Sequence, residues 1–145
     1  MNTSRRSIIA GVAAAPLAAA QARPAGRKKV YPPARKGGEI PLFSSATAFG
    51  DFVFIAGHGV NIEGGVQAQT KKVLDDIEGV LKQAGSSMEK VLKVNVYLKD
   101  IGDFEAMNQV YRGRFGPEPP VRTTVQVAAI ALKGCLVEIE AIAHV

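Results

Sequence analysis

The sequence contains few of the side chains that build disulfide frameworks or metal sites. Its 145 residues include one cysteine, two histidines and no tryptophan. The single cysteine, Cys135, cannot form an intramolecular disulfide, so stability must come from a hydrophobic core or from oligomerisation. No CxxC or HExxH motif is present, and with two histidines a structural zinc site is not expected. The composition therefore predicts a site without metal.

After the N-terminus, no segment approaches the roughly 18 uninterrupted apolar residues that a membrane-spanning helix needs. The N-terminus itself carries an uncharged run at residues 8–20, which follows Arg5 and Arg6 and precedes the sequence Ala20-Gln21-Ala22. A basic start, an apolar stretch and a small-x-small site are typical of a cleavable secretory signal. We therefore expect a signal peptide at residues 1–22 and a periplasmic or secreted protein. The arginine pair fits either a twin-arginine signal or an ordinary secretory signal.

The net charge of +5 is concentrated ahead of the body of the chain. Residues 23–40 hold six basic side chains and one acidic one, which predicts a basic linker, whereas residues 41–145 hold 10 Lys and Arg against 12 Asp and Glu and so carry about −2. Proteins that bind nucleic acid place their basic residues on a folded face or groove. The charge distribution argues against nucleic acid as a partner and predicts one folded domain at residues 41–145.

Periodicity within this domain predicts alternating strands and helices. The predicted order is strands at 40–46 and 51–56, a helix at 66–84, a strand at 92–98, a helix from Asp103 to Gly116, and two last strands that begin at Arg122 and Val137. Both faces of the second strand are apolar, so we expect it to be central and covered. The order predicts an α+β fold in which both helices cover one face of a mixed sheet and the other face is free for oligomerisation.

Arg122 is the strongest candidate for a binding residue. It follows a proline-rich segment and opens a strand whose expected partner is the strand at 137–143, which carries Glu138 and Glu140. A guanidinium is always charged and presents coplanar donors that match a carboxylate. The sequence therefore predicts a site for a small carboxylic acid at Arg122, and an ion pair between Arg122 and Glu138 is the structural alternative.

Several segments together resemble the RidA family of reactive intermediate (imine) deaminases, also called YjgF proteins. The resemblance is carried by PVRTTVQV at 120–127 and VEIEAIA at 137–143, and upstream by FIAGH at 54–58, LKQAG at 81–85, VNVYLKD at 94–100 and DFEAMNQVY at 103–111. It extends over residues 41–143, which is nearly the whole predicted domain. The resemblance implies a chorismate-mutase-like α+β fold and a homotrimer with ligand sites between subunits.

The same resemblance implies hydrolysis of enamines and 2-imino acids to 2-keto acids and ammonia, without a metal or an organic cofactor. Arg122 falls on the arginine that grips the substrate carboxylate, Glu138 on the glutamate associated with the hydrolytic water, and Thr124 on a position where many members have cysteine. Further residues at the substrate are Phe43, Ala56, Gly57 and Asn108. Such a reaction depends mainly on orientation and on one placed water, so no activated nucleophile is needed.

The chain departs from the family pattern at two of these positions. Phe43 stands where archetypal members have tyrosine, and Ala56 stands where they have a serine that contacts the carboxylate. The sequence leaves three function classes open. The first is an exported imine deaminase, and the second is a binder of small carboxylic acids without catalysis. The third is an RNA-cleaving protein, which the negative charge of residues 41–145 disfavours.

Overall fold

The structure is a computed structural model that describes residues 26–31, 38 and 40–145. The predicted signal peptide at residues 1–22 lies outside this range. The strands are β1 (Lys29–Tyr31), β2 (Ala46–Phe49), β3 (Phe52–Gly59), β4 (Val91–Leu98), β5 (Val121–Gln126) and β6 (Val137–His144), and the helices are α1 (Gly65–Gln83) and α2 (Phe104–Tyr111). Short 3-10 turns at Met88–Lys90 and Ile101–Asp103 precede β4 and α2.

The six strands form one mixed sheet in the order β1-β2-β3-β6-β4-β5. Among the strands that the structure describes, β4 and β5 form the one parallel pair, and α2 lies in the crossover between them, as a parallel connection requires. Both helices contribute to one core against one face of the sheet. The predicted α+β class with a mixed sheet is confirmed.

The expectation that β5 pairs with the strand at 137–143 is wrong. β5 pairs with β4, whereas β6 lies between β3 and β4 and pairs antiparallel with both. Consecutive strands often pair, but here the crossover through α2 delivers β5 to the outer side of β4, at the edge of the sheet. The central position suits β6, because its residues Val137, Ile139 and Ala143 are fully buried.

The core lies between the helices and the covered face of the sheet. Its largest fully buried side chains come from both layers: Val73, Leu74, Ile77 and Leu81 of α1, Met107 of α2, and Val53, Val94, Val96, Leu98, Val137 and Ile139 of the strands. Each such side chain contributes roughly 1.5–3 kcal/mol on burial. This layer is therefore the main source of stability and holds both helices against the sheet.

Helix α1 matches its predicted extent closely, and Gly85 follows it with φ +81, a conformation that favours glycine at a helix end. Helix α2 ends at Tyr111, earlier than the predicted Gly116. The cause is local, because Gly113 has φ +78 and turns the chain out of the helix. Phe115 nevertheless remains buried, beyond the end of the helix.

The N-terminal part of the sheet differs from the prediction in two ways. The first predicted strand, at 40–46, is shifted to Ala46–Phe49, and Leu42 and Phe43 before it are exposed. In addition, β1 lies inside the predicted linker at residues 23–40 and pairs antiparallel with β2. Part of that basic segment therefore belongs to the sheet.

The face of the sheet opposite the helices, called the open face here, carries exposed apolar side chains. Phe52 and Phe54 of β3 are 49% and 45% exposed, and Val121 and Val125 at the other edge are 69% and 41% exposed. The expectation that the second strand is covered on both faces is therefore not met within one chain. An apolar surface of this kind favours contact with another protein surface.

Gln69 of α1 joins the helix to two loops through its buried amide. Its Nε2 donates to the carbonyls of Ile62 and Gly134, and its Oε1 accepts from the backbone N–H of Leu136. The side chain is 2% exposed. Because Leu136 immediately precedes β6, Gln69 helps to fix the start of that strand.

Gln69→Ala is expected to lower the free energy of unfolding by about 2–4 kcal/mol, because three backbone groups lose their buried partner and a cavity remains. Urea denaturation at a fixed protein concentration measures the change. The matched control is Gln67→Ala on the same helix. The Gln67 side chain is exposed and donates to Gln109, and its loss is expected to change the free energy of unfolding by no more than about 0.5 kcal/mol. Equal effects of the two substitutions would contradict this role for Gln69.

Candidate functional site

Arg122 lies on the helix-covered side of the sheet, near the start of the edge strand β5. It is in register with Val94 of β4, whose side chain is fully buried beneath the helices. The guanidinium carbon lies 4.6 Å from the ring centroid of Tyr111 and 5.6 Å from that of Phe104, both on α2. These two ring contacts are within the range of cation–π attraction and fix the position of the guanidinium.

Tyr111 is a buried and neutral support for this arginine. Its side chain is 8% exposed, and its ring packs on Phe115 at a centroid distance of 4.9 Å. Burial raises the pKa of Tyr111 to about 12, although the positive charge of Arg122 acts in the opposite direction. Tyr111 therefore stays protonated at physiological pH and leaves the charge of Arg122 uncompensated.

Arg122 lines a cleft of about 560 Å³ between α2 and residues 116–120, and Asn108 of α2 lines the same cleft. In the described part of the chain no carboxylate forms an ion pair with Arg122. A guanidinium held by aromatic rings, with no carboxylate partner, keeps donors available for a ligand. The cleft is therefore a candidate site for a carboxylate.

Thr124 follows Arg122 by two residues and points to the same side of the sheet, in register with Val96. Its Oγ1 is buried and has no hydrogen-bond partner within the described ranges. A buried hydroxyl without a partner is costly. Thr124 thus adds an unsatisfied polar group on the side of β5 that carries Arg122.

Glu138 lies on the open face, in register with Gly59 of β3 and Tyr97 of β4. It is half-buried and forms no hydrogen bond or ion pair with the described residues. Its carboxylate lies against Gly57: a Cβ at that position would be 3.0 Å from Cδ and would overlap Oε1. Glycine at position 57 therefore leaves the room that the Glu138 carboxylate occupies.

Within one chain, Arg122 and Glu138 do not meet. Their strands are separated by β4, which puts about 10 Å between the strands, and their register partners on β4 are offset by roughly another 10 Å along the strand. Along β4, Val94 and Tyr97, the register partners of Arg122 and Glu138, point to opposite faces. The expectation that Glu138 lies beside Arg122 is wrong for a single chain, and so is the structural alternative of an ion pair between them.

Glu140, the other acidic residue of β6, has a structural role. Its Oε1 accepts hydrogen bonds from Nδ2 of Asn95 at 2.7 Å and from the hydroxyl of Tyr97 at 2.9 Å. The bond to Glu140, together with burial, raises the pKa of Tyr97. These bonds hold one oxygen of the Glu140 carboxylate within the sheet, whereas the Glu138 carboxylate has no partner among the described residues.

The other predicted site residues divide between the two faces. β3 has a bulge at Ala56 and Gly57, and the backbone N–H of Ala56 donates to the carbonyl of Ser45, two residues after Phe43. Phe43 is 74% exposed. The structure therefore groups Ala56, Gly57 and the segment of Phe43 with Glu138, whereas Asn108 and Thr124 lie on the side of Arg122.

Periodicity in the sequence does not connect Phe104 and Tyr111 with Arg122. Their spacing of seven residues, two turns of a helix, places both rings on one side of α2. What was missing is the parallel pairing of β4 and β5, which brings Arg122 beneath that side. Arg112, which also lines the cleft, was missed for the same reason.

Within residues 26–31, 38 and 40–145, no group of three or more His, Cys, Asp and Glu side chains is arranged to hold a metal ion. The same part of the chain contains no helix that is long and apolar enough to cross a membrane. Cys135 is buried, and its thiol donates to the carbonyl of Val137 at 3.0 Å.

Comparison with known proteins relates nearly all of the described residues to one family. The family model described as endoribonuclease L-PSP matches residues 38–145. A RutC family protein of Pyrococcus abyssi is 41% identical over 112 residues, which are 72% of this chain and 87% of the relative. A human protein named 2-iminobutanoate/2-iminopropanoate deaminase is 34% identical over 123 residues, 80% of this chain and 89% of the relative.

The expectation of a periplasmic or secreted protein is wrong. It is overturned by the relatives, which include a Schizosaccharomyces pombe protein named as mitochondrial, mmf2, that is 41% identical over 108 residues, 70% of this chain and 86% of the relative. None of the three relatives is named as an exported protein.

A solved structure gives the same assignment as the sequence comparisons. A Rid family protein of unknown function from Yersinia pestis, YyfA, superposes with a TM-score of 0.73 at 32% identity, and the match covers 82% of this chain and all of the other. The family model and the relatives agree with the resemblance in the sequence. The chain belongs to the YjgF/RidA family, whose matching model carries the description endoribonuclease L-PSP.

Proposed function

We propose that the protein is an imine deaminase that hydrolyses 2-imino acids to 2-keto acids and ammonia. One observation carries this proposal: neither Arg122 nor Glu138 has an ionic partner among the described residues. Arg122 presents a guanidinium that can bind a carboxylate, and Glu138 presents a free carboxylate on the opposite face of the sheet. These are the two groups that the reaction needs. The human relative, named as a deaminase of two such imino acids, supports the same reaction class.

We further propose that the sites form between the subunits of a homotrimer. Since Arg122 and Glu138 lie on opposite faces, they can serve one substrate only if the β5 edge of one subunit meets the open face of another. The exposed Phe52, Phe54 and Val125 of that face support such contact, because burying them stabilises an interface. The resemblance to the RidA family supports the trimer over other assemblies.

In the proposed mechanism, Arg122 binds the substrate carboxylate and orients the adjacent imine carbon. Glu138 of a neighbouring subunit accepts a proton from a water molecule as its oxygen bonds to that carbon, and the proton is passed to the nitrogen. The hydroxyl group of the resulting carbinolamine then gives up its proton, which is transferred to the nitrogen, as the C–N bond breaks. Ammonia leaves, and the carbonyl of the 2-keto acid forms. The reaction consumes only water.

The remaining site residues have supporting roles in this proposal. Thr124 and Asn108 supply a hydroxyl and an amide on the side of Arg122. Gly57 keeps room for the Glu138 carboxylate, and Ala56 and Phe43 form the wall on that side without hydroxyl groups. Most of the rate gain comes from orientation of substrate and water.

The test supplies the imine from an amino-acid oxidase and follows release of the 2-keto acid with and without the protein. The protein is expected to increase the rate severalfold at constant oxidase activity, because it replaces a slow hydrolysis in water with an oriented one. Equal rates would contradict the deaminase. Equal rates together with thermal stabilisation by a 2-keto acid would instead favour the binder without catalysis. That the protein does not bind nucleic acid stays a prediction.

A further inference from the structure

Resting on the proposed function, we propose that the cleft takes 2-imino acids with a second carboxylate, that is, imino derivatives of dicarboxylic amino acids. In this arrangement Arg122 binds the carboxylate next to the imine carbon and Arg112 binds the distal one. The proposal deepens the proposed function by naming the substrate class of the same site.

Two arginines line this one cleft. Arg112 directly follows Tyr111 at the end of α2, and its backbone N–H donates to the carbonyl of Asn108 at 3.0 Å. The backbone of Arg112 has left the helical conformation, with ψ 131, and Gly113 turns the chain next. This end of α2 is thereby held at the cleft, with the exposed side chain of Arg112 and the half-buried side chain of Arg122 both lining it.

Neither arginine is neutralised within the described ranges. Arg112 and Arg122 form no ion pair there, whereas Arg114, two residues after Arg112, pairs with Asp75 at 2.8 Å and lies 3.6 Å from Glu78. The lining of the cleft, as far as the described residues form it, includes no Asp or Glu, although Glu118 lies in the neighbouring loop. Two uncompensated positive charges in one cleft favour a ligand that carries two negative charges.

The size and the lining of the cleft agree with such a ligand. Its volume of about 560 Å³ lies well within the range of small-molecule sites, roughly 300–1,000 Å³. Phe115, Pro117 and Pro120 contribute apolar surface to the same lining as the two arginines. A carbon chain that carries two carboxylates suits a lining that combines apolar and cationic side chains.

The chemistry of the proposed reaction is unchanged by the second carboxylate. Water adds to the imine carbon, ammonia leaves, and a 2-keto dicarboxylic acid forms. A reaction that supplies this substrate must oxidise the amine of an acidic amino acid to an imine. Such an amino-acid oxidation removes two electrons and two protons, one proton from the α-carbon and one from the nitrogen.

The test measures binding of two stable keto acids by calorimetry, with 2-oxoglutarate as the dicarboxylate and 2-oxobutanoate as the monocarboxylate. The full-length protein is expected to bind 2-oxoglutarate about tenfold more tightly, which is the gain from one further charge-assisted contact. In Arg112→Gln the ratio of the two affinities is expected to fall close to one. Lys29→Gln, which removes the same charge at the opposite edge of the sheet, is expected to leave the ratio unchanged.

Equal affinity for the two keto acids, or a preference that survives in Arg112→Gln, would overturn the dicarboxylate proposal. Arg122→Gln separates this outcome from a failure of the proposed function, since binding requires no turnover. If that variant still binds 2-oxobutanoate like the unaltered protein, Arg122 is not the carboxylate site and both proposals fall. If it loses 2-oxobutanoate while the unaltered protein shows no preference, only the dicarboxylate assignment is lost.

Discussion

Arg122→Ala is expected to lower kcat/KM for 2-imino acids by about 100-fold. The substitution removes a charge-assisted contact with the substrate carboxylate, and loss of one partner of such a pair costs roughly 2–5 kcal/mol, of which about 2.7 kcal/mol corresponds to two powers of ten. The loss is expected in both kcat and KM, because the same contact holds the substrate and aligns its imine carbon. Steady-state release of the 2-keto acid measures it.

Arg122→Lys distinguishes the shape of the guanidinium from its charge. The lysine keeps the positive charge but lacks the planar fork and stacks less well on aromatic rings such as Tyr111 and Phe104. An intermediate loss is therefore expected. The control is Lys72→Ala, which removes one charge from the exposed side of α1 and is expected to leave kcat/KM unchanged. Unaltered kinetics of Arg122→Ala would remove Arg122 from the site.

The sequence predicted individual elements well where one local pattern determines them. The apolar spacing of α1 and Gly85 after it define that helix. The alternation along β6 places Glu138 and Ile139 on opposite faces, as observed. These features depend on residues within a few turns or a single strand, where periodicity is informative.

The arrangement of the strands was not predicted, because it depends on contacts far apart in the chain. β5 and β6 are consecutive and each has the pattern of a half-covered strand, which favours a hairpin between them. The observed order separates them by β4, since the crossover through α2 makes β5 parallel to β4. No pattern in residues 121–144 indicates whether β5 pairs with β6 or with β4.

This difference changes the interpretation of the candidate site. A hairpin would have placed Arg122 beside Glu138 as one site within one chain. The observed sheet separates them. Arg122 contacts the rings of Tyr111 and Phe104, and the Glu138 carboxylate lies against Gly57. The resemblance supplied the candidate residues, and the topology shows that Arg122 and Glu138 lie on opposite faces of the sheet within one chain.

Mixing two inactive variants is expected to restore activity if, as proposed, each site combines Arg122 of one subunit with Glu138 of the next. Arg122→Ala and Glu138→Gln are each expected to retain about 1% of activity, since each removes one group of the proposed mechanism. In a homotrimer assembled at random from equal amounts of both, about one quarter of the sites combine an intact Arg122 from one subunit with an intact Glu138 from the next. Co-expression of the two variants, followed by the keto-acid assay, measures this recovery.

The reciprocal mixture gives an independent measure of the same geometry. When the unaltered protein assembles at random with an equal amount of a chain that carries both substitutions, sites between subunits keep about one quarter of full activity, whereas sites within a subunit would keep about one half. The double variant must enter the same oligomers, which mass spectrometry of the native complexes verifies. Recovery absent in the first mixture and one half retained in the second would place both residues in one subunit. That result is incompatible with a sheet in which Arg122 and Glu138 lie on opposite faces.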